Sequence, residues 1–412
     1  MLNNDIIVGL DIGTTKIAVV MAEVSTNNIL NIIGVGTHPS DGLRRGVVVN
    51  LDKTVRSIEK AAKSAELMAG VKIESVYAGI CGDHIRSLNS RGVVAVSRND
   101  NEILNEDIER VMNAAKAIAL PMDREIIHII PQEYIVDDQD GIKDPVGMSG
   151  VRLEVDAHIV TGAVTSAQNI YKSVHRAGFK ISDLVLQPLA SSCATLGDDE
   201  RELGVALVDI GGGTTDVAIF YQGSIRHTAV IGLGGKNVTN DIAVGLRTPI
   251  EQAEKIKINF GCSSIKKVPD EEYVQVPGIG GRPPRKVSKA VISSIIQPRM
   301  EEIFYLALRE IKKSEYIDLM TAGIVITGGC AQLECVIELA EQIFDMPVKI
   351  GFPTGFGGLI EEAKSPSFAT GVGLTLYGMK EHHDFNIEYT DDDSKLFHNI
   401  LNRMKKWVTE FF

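Results

Sequence analysis

Two short stretches hold residues whose types and order suit phosphate binding. Residues 7–20 read IVGLDIGTTKIAVV, and residues 205–220 read VALVDIGGGTTDVAIF. In each, an apolar run ends in Asp-Ile-Gly, a Gly/Thr turn follows, and a second apolar run begins. Gly13 in the first stretch, and Gly211, Gly212 and Gly213 in the second, permit tight turns and close approach of backbone to a ligand. Successive amide N–H groups in such turns form an anion-binding hollow, to which Thr14, Thr15, Thr214 and Thr215 add hydroxyl donors. Asp11 and Asp209, at the ends of the preceding runs, can each hold a hydrated Mg²⁺ that offsets phosphate charge. Lys16 either supplies a point charge or, equally well from its place in the strand, points to solvent. One such stretch alone also fits an ordinary hairpin with a glycine turn. Two copies favour the phosphates of a nucleotide.

Two further glycine corners accompany them. In ITGGCA an apolar strand meets Gly328 and Gly329 before a helical pattern, so a flat base could lie against backbone that has no Cβ in the way. In IGLGGK a similar run meets Gly234, Gly235 and Lys236 and opens a helix around Val238 to Val244. A family resemblance that these corners carry implies that Gly235, Lys236, Gly328 and Gly329 line the adenosine side of a nucleotide.

The elements that must position these residues follow from pattern. Short apolar runs bounded by turn residues predict strand, tight turn, strand in each phosphate stretch. The two aspartates lie 198 positions apart, a domain spacing rather than the ~20–50 residues of a solenoid repeat. A duplicated two-lobed α/β fold is expected. Between the first phosphate stretch and the helical QPLASSCATL, residues 83–162 contain the helical NEDIERVMNAAKAIA and two strand-like runs, REIIHIIPQEYIVD and VRLEVDAHIVTG, and predict a small α+β insertion. His128 and His158 fall in those strands and read as satisfied structural histidines.

Composition bounds the rest. The chain has 412 residues, room for two or three domains, and 44% hydrophobic residues, as in a globular protein. A net charge of -12 repels polyanions and argues against nucleic acid as a partner. Five scattered cysteines with no Cys-x-x-Cys fit reduced thiols in a cytoplasm. No basic leader opens the chain, and no apolar stretch approaches the ~20 residues of a membrane span.

The last residues oppose the bulk charge. After a polar, acidic stretch at 381–394, expected as a flexible linker, residues 395–412 read KLFHNILNRMKKWVTEFF. Leu396, Phe397, Ile400, Leu401, Met404, Trp407, Val408 and Phe411 fall at helical spacing on one face. Lys395, Arg403, Lys405 and Lys406 against Glu410 give this segment +3. A helix packed on the protein's own core is the commoner fate of such a pattern. The acidic linker, the chain's sole Trp on the apolar face and the basic residues favour reversible binding to an anionic membrane surface, at ~1 kcal/mol per basic residue.

DIGTTK, DIGGGTTD, LGGKNVTNDIA and ITGGCAQ resemble, in order, the phosphate loops and adenosine-side elements of the actin/Hsp70/sugar-kinase superfamily. QPLASSCATL is similar to its connecting helix, and Gln187 takes the position of a Glu in Hsp70-like relatives. The resemblance gives Gln187 a water-positioning role with no base, which implies slow or marginal hydrolysis. IPQEY, GIKDPVGMSGVR, DERELGVALVDIGGGTTD and GGRPPR resemble the FtsA family of bacterial cell-division proteins over nearly the whole chain.

That resemblance implies an actin-like first lobe from 1–82, 163–197 and 360–380, with 83–162 as the insertion that replaces an actin subdomain. It implies a second lobe at 198–359, whose smaller subdomain is 235–300. ATP and Mg would be the cofactors. The implied partners are the tail of FtsZ, further copies of the chain in a filament, later divisome proteins and the inner membrane's cytoplasmic face. The stretch Lys255 to Lys289 reads as a basic loop, denied regular structure by Gly-Gly and Pro-Pro, and the family likeness puts the FtsZ-tail docking surface in this subdomain. Reversing Arg285 and Arg299 should then weaken docking. The competing readings are a sugar or acetate kinase of the same superfamily, or a pilus-assembly or cell-shape relative of actin.

Overall fold

The structure, a computed structural model, describes residues 6–388 apart from 26, 99 and 270. Two five-stranded sheets organise it, and they share one topology. In the first, Ile6–Ile12, Lys16–Val24 and Leu30–Pro39 form an antiparallel meander. Ser75–Ile80 and then Lys180–Leu186 extend it in parallel on the other side of Ile6–Ile12. In the second, Val205–Ile210, Thr215–Tyr221 and Ser224–Ile231 make the meander, and Ile324–Thr327 and Val348–Ile350 make the parallel extension.

Helices cover both faces of the first sheet, which is why its strands are continuous apolar runs rather than alternating ones. Val8, Leu10 and Ile12 pack with Ile58 and Ala62 of the helix Leu51–Ala69 and with Ile170 of Val164–Arg176. On the opposite face Ile7 and Val20 meet Ala190 of Gln187–Thr195 and Val372 of Ala369–Glu388. In the second sheet Val208 and Ile210 pack on Val238 of Gly235–Leu246, Phe304 of Lys289–Lys313 and Leu339 of Val336–Phe344.

Inserted between Ser75–Ile80 and Lys180–Leu186 is a separate antiparallel sheet in the order Arg86–Ala95, Arg152–Ala163, Arg124–Val136, Gln139–Ile142. The helix Asn105–Lys116 closes its core through Val111 and Ala115. This insert meets the edge strand Ser224–Ile231 of the second sheet. Gln132 Nε2 donates to the Ile225 carbonyl at 2.8 Å, Ser224 Oγ to the Gln132 carbonyl at 3.0 Å, and Ser87 Oγ to the Thr228 carbonyl at 2.9 Å. His158 bridges Asn89 Oδ1 and Thr228 Oγ1, and His128 Nε2 accepts the Leu186 N–H.

Three expectations meet a different outcome. Regular structure occupies much of Lys255 to Lys289: the helix Ile250–Phe260 includes Lys255 and Lys257, and Tyr273–Val276 pairs with Arg285–Ser288. Gly-Gly and Pro-Pro are confined to the loop between those two strands. Arg299, expected as a free docking charge, is engaged within the chain: it holds Asp241 at 2.6 and 3.1 Å and also pairs with Glu302. The helix Ala369–Glu388 runs into the segment expected as linker, since no Gly or Pro interrupts 381–388. Residues 389–394 and the amphipathic stretch 395–412 lie outside the described residues. Among those described, no helix is long and apolar enough to cross a membrane.

Candidate functional site

Each meander turns on four residues closed by the same hydrogen bond. Gly13 N–H donates to the Lys16 carbonyl at 3.1 Å, and Gly211 N–H to the Thr214 carbonyl at 2.9 Å. The two turns face each other. A Cβ on Gly212 would stand 2.4 Å from the Thr15 side chain, and one on Gly213 would stand 2.5 Å from Thr14 Oγ1. No Cβ contact is that short in a real protein, so glycine is what lets the lobes meet here. The start of Gly235–Leu246 docks on the second turn, with Gly235 N–H on the Gly211 carbonyl at 2.9 Å and Lys236 N–H on that of Gly212 at 2.7 Å.

Asp11, Asp209 and Asp216 lie beneath the turns. Desolvation pushes Asp11 up to about 7, opposed by the nearby Lys16 charge and reinforced by Asp209. Burial, then the Asp209 and Asp11 charges, push Asp216 up to about 8, against hydrogen bonds from Cys81 and Thr214. Asp209 is also raised by burial, partly offset by hydrogen bonds from Ser191 Oγ at 2.6 Å and Thr370 Oγ1 at 3.4 Å. Carboxylates that raise one another, with Lys16 the cation that offsets Asp11, fit a divalent cation. Among the described residues no group of His, Cys, Asp or Glu side chains forms a direct metal cage, so a cation here would keep water ligands.

The helix Gln187–Thr195 links the lobes through these acids. Gln187 Nε2 donates to Asp11 Oδ1 at 3.0 Å, and Ser191, one turn later, donates to Asp209. Gly328, at φ +86, lies against Asp209 as well: a Cβ there would meet Asp209 Oδ1 at 2.5 Å. Gly329 opens on space, with no atom within 4 Å of where its Cβ would be, as a flat ligand requires.

The expected residues therefore gather, though several take other posts. Lys16 does not run free to solvent: its charge bears on Asp11, while its Nζ donates to the Ser367 carbonyl at 2.8 Å and lies 3.6 Å over the Phe368 ring. Lys236 joins the phosphate turns rather than the far side, with Nζ 3.3 Å from the Thr14 carbonyl. Thr14 Oγ1 accepts the Gly46 N–H at 3.0 Å, Thr215 Oγ1 donates to the Leu233 carbonyl at 2.9 Å, and Thr15 stays exposed. Gly235 lies by Cys330 and by Lys257, whose Nζ reaches the Gly235 carbonyl at 3.2 Å and Glu254 at 2.8 Å.

Sequence reading missed Asp216, Ser191, Glu254 and Lys257. Asp216 closes the quoted DIGGGTTD and could have been found as a third acid on the strand after the turn. Nothing in the chain marks the helical residues Ser191, Glu254 and Lys257 as part of the site.

Comparison with known proteins now bears on this geometry. The family described as "Cell division protein FtsA" matches residues 206–373, and "SHS2 domain inserted in FTSA" matches residues 82–161. A cell division protein FtsA of Pseudomonas aeruginosa is 48% identical over 98% of this chain and 97% of its own length. One from Escherichia coli K12 is 40% identical over 99% and 98%. Among solved structures, a PilM-PilN type IV pilus biogenesis complex aligns with TM-score 0.66 at 16% identity, covering 90% of this chain and 98% of that one. MreB5 of Spiroplasma citri bound to ADP aligns with TM-score 0.56 at 15% identity, covering 93% and 98%. These likenesses show the fold, actin-like α/β with an SHS2 insert. With sequence identity of this order along nearly its full length, the chain belongs to the FtsA family of bacterial cell-division proteins.

Proposed function

We propose that the chain binds ATP with Mg²⁺ between its two lobes and uses it as an assembly ligand in cell division. The observation that carries this reading is the pair of facing glycine turns above three acids, Asp11 half-buried and Asp209 and Asp216 buried, two of them held by one helix. Gly212 and Gly213, in a turn closed by Gly211 as the first is by Gly13, would receive phosphate on backbone N–H groups, Asp11 and Asp209 would hold the hydrated cation, and Gly329 would leave room for the adenosine. The cation neutralises the charge of the phosphates when bound. Gln187 presents an amide and no base, so hydrolysis is slow or marginal. MreB5, of similar fold, is described with ADP and with AMPPNP, which supports a nucleotide in this cleft.

In this reading the two lobes and the insert are the chain's domains, copies of the chain polymerise, and the amphipathic residues 395–412 attach the polymer to the cytoplasmic face of the inner membrane at the septum. The polymer anchors FtsZ and recruits later divisome proteins. Lys255, Lys266, Lys267, Arg282, Arg285 and Lys286 are exposed on the small subdomain of the second lobe and suit an acidic tail. Arg285 also donates to the Leu246 carbonyl at 2.8 Å, so Arg282 and Lys286 are the cleaner positions for charge reversal. Electron microscopy of the protein on anionic lipid monolayers, with and without ATP and FtsZ, tests the whole reading. Filaments that need the last 18 residues support it. Dispersed particles indifferent to nucleotide would refute it.

A further inference from the structure

The site's own lysines are engaged. Lys16 is tied to Ser367 and Phe368, Lys236 to the Thr14 carbonyl, and Lys257 to Glu254 and Gly235. A triphosphate brings more negative charge than a diphosphate, and none of these three is placed to answer the difference without giving up a partner. One cation beside the turns is not engaged in this way. Among the described residues the Arg45 guanidinium has no hydrogen bond and no ion pair.

Its backbone is held in place. Arg45 stands at φ +50 and Gly46 at φ +77, so the loop takes two consecutive left-handed residues. Gly46 N–H is fixed on Thr14 Oγ1, within the first phosphate turn. A Cβ on Gly46 would sit 2.6 Å from the Cys81 carbonyl, so the loop lies as close to the cleft wall as backbone can. From there the Arg45 side chain crosses to the second lobe. Its Cδ is 3.4 Å and its Nη1 3.9 Å from where a Cβ on Gly232 would stand. Gly232 leads to Gly234, which itself packs on the Gly211 carbonyl and on Gly212. Arg45 thus runs from a loop tied to the first phosphate turn to Gly232, on the approach to the second, and its exposed planar fork can hold phosphate oxygens bidentately. Arg44, its neighbour, is exposed and pairs through its backbone with Val47.

We propose that Arg45 is the residue that binds the terminal phosphate of a nucleoside triphosphate across the cleft, and so distinguishes triphosphate from diphosphate. This rests on the nucleotide reading above.

The test measures binding of fluorescent ATP and ADP analogues to the full chain with Mg²⁺, for the unaltered protein, Arg45→Gln, Arg45→Lys and Arg44→Gln. Arg45→Gln weakens ATP about tenfold or more and ADP less than about threefold, while Arg44→Gln changes neither beyond about twofold. Arg45→Lys keeps a point charge and recovers part of the loss. Equal losses for ATP and ADP in Arg45→Gln, or no loss for either, would overturn the assignment. Failure of the unaltered chain to bind either nucleotide would instead overturn the nucleotide reading itself.

Discussion

Gln187 and Ser191 stand one helical turn apart, and each holds one of the two aspartates that end the first strands of the lobes. A single rigid element thus reads both carboxylates, and a shift of either lobe must stretch one of these bonds. Ser191→Ala leaves Asp209 only the longer Thr370 contact at 3.4 Å. Removing one partner of a buried hydrogen bond costs about 1–3 kcal/mol, so Mg²⁺-dependent ATP affinity should fall about tenfold or more in calorimetric titration. Restoration by Ser191→Thr would mark a positioning role. The glycine turns give a second prediction at this scale. Gly213→Ala places a methyl 2.5 Å from Thr14 Oγ1, so the turns must part. Nucleotide affinity should fall by an order of magnitude while the circular dichroism spectrum is unchanged.

At the scale of elements, the insert's contact with the strand Ser224–Ile231 is sensitive to acid. His158 of the strand Arg152–Ala163 lies buried between Asn89 of Arg86–Ala95 and Thr228 of the second lobe. His227 faces it, and the Arg226–Glu133 pair at 3.0 Å and the Arg91–Asp156 pair at 3.7 Å border the contact. Burial, then the His227 charge, lower His158 from 6.5 to about 4. His84, His128 and His227 are also lowered, each chiefly by burial. Groups lowered by folding bind fewer protons when folded, so the stability they carry is intact above 6.5 and is lost as pH falls toward about 4. The histidine share of the melting temperature should therefore drop across that window, against the opposite slope of Asp11 and Asp216, which folding raises. His158→Gln should make the slope shallower, at a cost of about 1 kcal/mol at neutral pH.

Over the whole molecule, two sheets of one topology are joined by the helices Gln187–Thr195 and Ala369–Glu388, which cross so closely that a Cβ on Gly373 would lie 1.8 Å from the Ala190 carbonyl. Backbone contact of this kind leaves no room for a side chain at Gly373 where the two helices cross. In the proposed reading, attachment to membrane belongs to residues 395–412. Trp407→Glu, or removal of 395–412, should abolish flotation with anionic liposomes and leave ATP binding unchanged. A truncated chain that still floats would place the membrane contact elsewhere. Raising salt should weaken flotation of the intact chain, because part of the attraction is electrostatic.

The strands, the two Asp-Ile-Gly turns, the duplication and the insert were legible in the sequence because each is local. Apolar runs and turn glycines repeat within a few residues of one another, and the two turns carry the same residue types at the same offsets. What the chain could not disclose alone is which partner each polar group finds. Lys16 lies two positions from Thr14 in sequence, yet its nitrogen ends on Ser367. Thr215 looks like a phosphate donor, yet it caps the Leu233 carbonyl. Ser191 looks like a helix filler, yet it holds Asp209. Buried donors and acceptors must be paired, and the cheapest partner is whichever group folding brings within about 3 Å, usually from a distant element. The sequence determined that two phosphate-type turns exist, and only the tertiary structure decided that glycine lets them touch and that Arg45 lies free beside them.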